Sequence, residues 1–153
     1  MAITPLQLGS ELVRRSTARN QALTNLSAQK LAYFAHGWHL ALLGQPLVNE
    51  NFEAWRYGPV LPDLYHVFKV FSGNPIPADH PLIEQQPHLD DSSMSAQLIE
   101  RVLDVYSGYG STGLVSISHD PSGPWYPAYH SPAVSSVIPH EAIKTYFEGQ
   151  RKQ

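Results

Sequence analysis

Between Leu26 and Leu43 the sequence reads as one long helix that is apolar on nearly every side, and this run sets what the chain can fold into. Leu31, Phe34, Ala35, Trp38, Ala41 and Leu42 recur with a 3.6-residue period on one arc, while Leu26, Tyr33, Leu40 and Leu43 populate the other side. A surface helix needs a single apolar stripe; a helix with two belongs inside, with other helices packed around it. Gly44-Gln45-Pro46 ends it, because glycine accepts the left-handed turn and proline cannot continue the hydrogen-bond ladder.

The remaining elements are short and separated by proline and glycine. Leu6 to Arg19 predicts a first helix, with Leu8, Leu12 and Val13 inward and Arg14, Arg15 and Arg19 near its negative end. Pro46-Leu47-Val48, the turn Asn49-Glu50-Asn51 and the run Phe52 to Tyr57 predict a hairpin, with Gly58-Pro59 ending the pairing. Pro62 suits the first position of a third helix, with Asp63 beside it and Leu64, Tyr65, Phe68 and Phe71 as its buried stripe. Residues 73–91 read as an extended surface loop, after which Asp91 or Ser92 caps a helix carrying Leu98, Ile99, Val102, Leu103, Val105 and Tyr106. Gly108 and Gly110 end it. Ser111 caps a short helix with Leu114, Val115 and Ile117, another turn starts near Pro124-Trp125, and Pro139 to about Gln150 predicts a terminal helix. The expected fold is mainly α: six or seven helices around a central buried helix, with one small antiparallel β-hairpin. At 153 residues one domain, 1–153, is the expectation.

Composition excludes several chemistries. With no cysteine there is no zinc–thiolate site, iron–sulfur cluster or cysteine nucleophile, and a reducing cytoplasm suits the chain. A formal net charge of −3 argues against a broad phosphate-binding surface, so nucleic acid is not an expected partner. No window reaches the ~18 apolar residues of a membrane span, and Met1 to Gln7 shows no basic and apolar leader, so a soluble, cytoplasmic protein is expected. Only 15% of residues are charged, so more of the surface is neutral, polar or aromatic, as in proteins with a partner.

Four constellations could carry function. His36 and His39, three apart on a helix, could share a metal, but a third ligand is not apparent, and hydrogen-bonded structural histidines are the favoured reading. His119-Asp120 with Ser118 or Ser122 allows a hydrolytic triad to be drawn; sequence neighbours rarely face one another, so a structural turn is favoured. Arg14, Arg15 and Arg19, together with Asp79, Asp90 and Asp91 of an acid-rich segment, are candidates for partner contact, with solvated charge as the plainer alternative. In Trp55-Arg56-Tyr57, strand alternation puts Trp55 and Tyr57 on one face, read as core, and Arg56 on the other, a further contact candidate. No cofactor or metal is expected.

The ordered stretch Ser27-Ala-Gln-Lys-Leu-Ala-Tyr-Phe-Ala-His-Gly-Trp-His-Leu-Ala-Leu, Pro46-Leu47, Phe52-Glu-Ala-Trp-Arg-Tyr-Gly-Pro-Val60, Leu64-Tyr65, Leu114, His119, Gly123-Pro-Trp125 and Ile143 to Phe147 resembles the Panacea antitoxin domain of SocA-like, phage-associated proteins. The resemblance covers about Thr24 to Phe147; Ala28, Ala32 and Ser111-Thr112-Gly113 depart from it modestly. It implies a mainly helical domain that neutralises a cognate protein toxin by direct contact, without catalysis. Some members are adapters that hand a toxin to a protease, which makes a protease unfoldase a second partner to consider. The signature positions it marks, read as structural, are Lys30, Tyr33, His36, Trp38, Trp55, Tyr57, Gly58, Pro59, His119 and Trp125. The rival from a different class is a small metal-assisted hydrolase using His36, His39 and His119.

Overall fold

A computed structural model of the chain describes residues 2–131 and 136–151. Helix α1 (Pro5–Ala18) is capped by the Thr4 hydroxyl, which accepts from the Gln7 amide at 3.1 Å. Helix α2 (Asn25–Leu43) starts with a reciprocal capping box between Thr24 and Ser27 and ends on Gly44, whose φ of 71° is the left-handed conformation that glycine adopts without strain. Strands β1 (Phe52–Trp55) and β2 (Gly58–Val60) follow, then α3 (Pro62–Phe68), the single turn α4 (Pro81–Glu84), α5 (Met94–Tyr106), α6 (Gly110–Ser118), α7 (Trp125–His130), β3 (Val137–Ile138) and α8 (His140–Arg151). Short 3-10 turns extend α3 and α5.

The central position of α2 is confirmed: α1, α3, α5, α6, α8 and β2 all pack on it. Its side chains are buried from Ser27 to Gly37 and again from His39 to Ala41. The two ends differ from the periodic reading, since Leu26 is 38% and Leu42 48% exposed. Tyr33 sits at the middle of the core, edge-on to Phe34, Phe52 and Phe147 with centroids 5.5, 5.7 and 5.5 Å away, and Phe34 stacks on Tyr106 at 4.2 Å.

Helix α8 crosses α2 at Gly37, where a Cβ would lie 2.1 Å from Phe147 Cε2. The missing side chain lets the aromatic ring lie directly on the helix backbone.

The hairpin is present but shifted. β1 pairs with β2 in the register Glu53–Val60, Ala54–Pro59 and Trp55–Gly58, so Arg56-Tyr57 forms the turn and Gly58-Pro59 lies inside the pairing it was expected to end. Residues 46–48 do not form a strand; Leu47 and Val48 are buried as a loop, with the Leu47 carbonyl accepting from the Ile3 amide. Gly58, at φ 115°, follows the Arg56-Tyr57 turn in a positive-φ conformation that a residue with a side chain would adopt only with strain. A third strand, β3, adds to the free edge of β1 through Phe52–Ile138 and Glu53–Val137, giving the order β2-β1-β3.

Three other local expectations change. Ser93, not Asp91 or Ser92, caps α5, with its hydroxyl accepting from the Ala96 amide, while Asp90 holds Ser92 in the preceding turn. Helix α6 begins at Gly110 without a side-chain cap. The 73–91 segment contains α4 and drives Ile76 and Ile83 into the core, so it is a docked lobe of the fold instead of an extended loop.

Gly37→Ala should destabilise the protein by about 1–3 kcal/mol, the usual cost of overpacking, because Phe147 must leave its seat against α2. Chemical denaturation checks this, and an unchanged midpoint would remove the α2–α8 contact from the account.

Candidate functional site

The buried amide, ammonium and imidazole side chains of α2 each meet a specific partner. Gln29 accepts a hydrogen bond from the Leu61 amide at 2.9 Å and donates to Asn25, which fixes the entry to α3. Lys30 is fully buried and donates from Nζ to the Pro59 carbonyl at 2.9 Å, reaching under Gly58, where a Cβ would lie 2.7 Å from its Cε. It forms no ion pair among the described residues, and burial lowers its pKa to about 7.

The histidine partners define one set of tautomers. Val48 donates its amide to His36 Nδ1 over a long 3.5 Å, so His36 donates from Nε2 to His140 Nδ1 at 2.8 Å, and His140 donates from Nε2 to the Asn49 carbonyl at 3.1 Å. His39 donates from Nδ1 to the Gln45 carbonyl at 2.6 Å and accepts from the Ser95 hydroxyl at 2.9 Å. Both rings are therefore neutral clasps joining α2 to the 45–49 loop, α8 and the start of α5. Burial, with His140 and His39 nearby, lowers the His36 pKa to about 3; burial also lowers that of His39. With their nitrogens engaged, these rings do not face a shared ligand, and the described residues contain no group of three His, Asp or Glu placed to hold a metal.

The drawn triad is not assembled. Asp120 accepts from the Ser122 amide and hydroxyl and from the Tyr146 phenol at 2.7 Å, while the Ser118 hydroxyl donates to the Val115 carbonyl. His119 instead stacks on Trp125 at 3.8 Å, with its Nε2 buried and unpartnered among the described residues. Trp125 donates its indole N–H to the Trp55 carbonyl at 2.8 Å, tying α7 to the sheet. Trp55 is half-buried against Tyr65, and its indole donates to Glu53. Tyr57, read as core, is 58% exposed at the turn with Arg56 over its ring. Trp38 donates to the Tyr106 hydroxyl at 2.9 Å.

The charged contact candidates largely meet one another. Glu11, 1% exposed, accepts from Arg14 and Arg15 at 2.8 Å; Arg15 also pairs with Asp91 and Glu100, and Arg19 with Glu100 and Asp104. Arg14 donates in addition to the carbonyls of Ile83, Gln86 and Pro87, pinning the 73–91 lobe to α1. Asp79 and Asp90 are exposed on that lobe.

Beside this network lies an open groove of about 770 Å³ between the end of α2 and α5, floored by Trp38, Leu98 and Val102 and edged by Leu42, Met94 and Val105. Sequence periodicity placed Leu42 and Val105 inside. The signal that was available is the 94, 98, 101, 105 spacing, a second track on α5 beside the one that faces the core. His140, the partner of His36, carried no local signal, being 104 residues away.

Comparison with known proteins places these features in a family. Residues 28–126 match the model described as "Antitoxin SocA-like, Panacea domain". A curated relative, Antitoxin SocA of Caulobacter vibrioides (strain NA1000 / CB15N), is 38% identical over 124 residues, a match that takes in 74% of this chain and 64% of the relative. This chain thus spans just under two thirds of that relative's length. No solved structure matches significantly.

Neutral buried histidines give a defined pH response. The unfolded chain binds a proton at His36 below about pH 6.5 that the folded state refuses until about pH 3, so stability should fall as pH drops from 6.5, by up to about 1.4 kcal/mol per unit for this ring, with His39 acting in the same direction. Asp120, held low by its hydrogen bond from the Tyr146 phenol, gives up its contribution only below its ordinary value of 3.8, beneath the window from about pH 6.5 to 4.5. Lys30 acts with the same sign between 10.5 and 7. Urea melts from pH 4.5 to 6.5 test this; a flat stability across that window would contradict the neutral clasp.

Proposed function

The chain belongs to the SocA-like, Panacea-domain antitoxin family, and from that premise we propose that it is the antitoxin of a toxin–antitoxin pair, neutralising a cognate protein toxin by direct binding. The observation that carries this reading is the family match over residues 28–126, which takes in α2, the hairpin, the α5 helix and the start of α7. Neutralisation proceeds by covering or sequestering the toxin, with no covalent step. Two features support a binding role over the hydrolase alternative: Ser118, His119 and Asp120 each face a different group, and the nitrogens of His36 and His39 are committed to structural bonds. Among the described residues no helix is long and apolar enough to cross a membrane, in keeping with a partner met in the cytoplasm.

Expression of the neighbouring reading frame alone should arrest growth, and co-expression with this chain should restore it with the two proteins co-purifying. Continued arrest, with this chain folded and separate from a toxic neighbour, would overturn the reading.

A further inference from the structure

One charge in the groove between α2 and α5 has no counter-charge among the described residues. Of its charged lining residues, Arg15 pairs with both Asp91 and Glu100, whereas Arg101 is exposed and has no ion-pair partner among the described residues. Around it apolar side chains stand in water: Met94 is 66% and Val105 58% exposed on α5, facing Leu42 at the end of α2. Met94, Leu98, Arg101 and Val105 form one track along α5. At about 1.5 Å rise per residue the track runs about 16 Å, or three helical turns, which matches another helix better than a compact ligand.

We propose that this groove receives an amphipathic helix of the toxin, whose apolar side chains fill the space over Trp38 and Leu98 and whose carboxylate meets Arg101. This rests on the antitoxin reading above. Charge decides against a second copy of this chain as the occupant. The 94, 98, 101, 105 spacing is symmetric about the midpoint between Ile99 and Glu100, so two antiparallel α5 helices would set Met94 against Val105 and each Arg101 against the other copy's Leu98, with the two Arg101 positions only about 4.5 Å apart along the axis. Glu100 and Asp104 could not answer them, being held by Arg15 and Arg19. An Asp or Glu from a different partner removes that conflict and selects against self-association.

The test titrates the toxin encoded by the neighbouring frame against the full chain and against Met94→Asp, Val105→Asp and Arg101→Glu. All three positions are exposed, so melting temperatures should stay unchanged. Each aspartate should weaken binding by about thirty-fold or more, as for a central interface residue. Arg101→Glu should weaken it by about ten-fold or more, and a lysine in place of the matching toxin carboxylate should restore binding to that variant. If the unaltered chain binds and all three variants bind equally well, the groove assignment is overturned and the antitoxin reading stands. A toxic neighbour that the unaltered chain does not bind would overturn both. A dimer of this chain that Val105→Asp turns into monomer would give the groove to a second copy and overturn the proposal.

Discussion

The amide, ammonium and imidazole side chains that α2 carries into the interior each find a partner there, and the rest of the structure is arranged around those partners. A buried amide, ammonium or imidazole without a hydrogen bond costs about 1–3 kcal/mol or more, so these are strict positional constraints. Gln29 fixes the Leu61 amide, Lys30 the Pro59 carbonyl, His36 the Val48 amide and His140, and His39 the Gln45 carbonyl and Ser95. Through these atoms a single helix locates the sheet, the entry to α3, the 45–49 loop, the start of α8 and the start of α5. Apolar burial makes α2 central, and the polar residues decide what lies where around it.

The same arrangement separates framework from surface. The charges on α1 close on the 73–91 lobe and on α5, with Glu11 buried between Arg14 and Arg15. A buried pair of this kind is strongly disrupted by loss of one member, which suits a fastening role. What remains open is the other side of α5, where Met94, Arg101 and Val105 face water next to Leu42. A partner met there would leave the clasps of α2 undisturbed.

The helical frame was legible in the sequence because its signals are local: the apolar run of α2, Gly44 behind it, Pro62 opening α3, and the apolar spacing of α8. The hairpin was legible as a place but not as a register, because Phe52 to Tyr57 reads as a strand whichever neighbour it pairs with; only the requirement at Gly58 for φ 115° sets the turn at Arg56-Tyr57. Strand β3 is two residues long and was invisible to any periodicity. Leu42 and Val105 were placed inside because an apolar residue at helical spacing reads as core, although groove-edge residues obey the same spacing. The arginines on α1 were equally ambiguous, since ion pairs spanning up to 85 residues leave no mark on local sequence.

α2 with its clasps is the frame of the fold, and toxin recognition in the α2–α5 groove is the proposal that rests on it. Amide hydrogen exchange of the full chain, free and bound to its toxin, tests it most directly. α2 should exchange most slowly in the free protein, and binding should add protection over Met94 to Val105 and at the Leu42 end of α2, leaving the hairpin and the His36–His140 contact unchanged. New protection confined to the Arg56-Tyr57 turn, or fast exchange through the middle of α2, would contradict it.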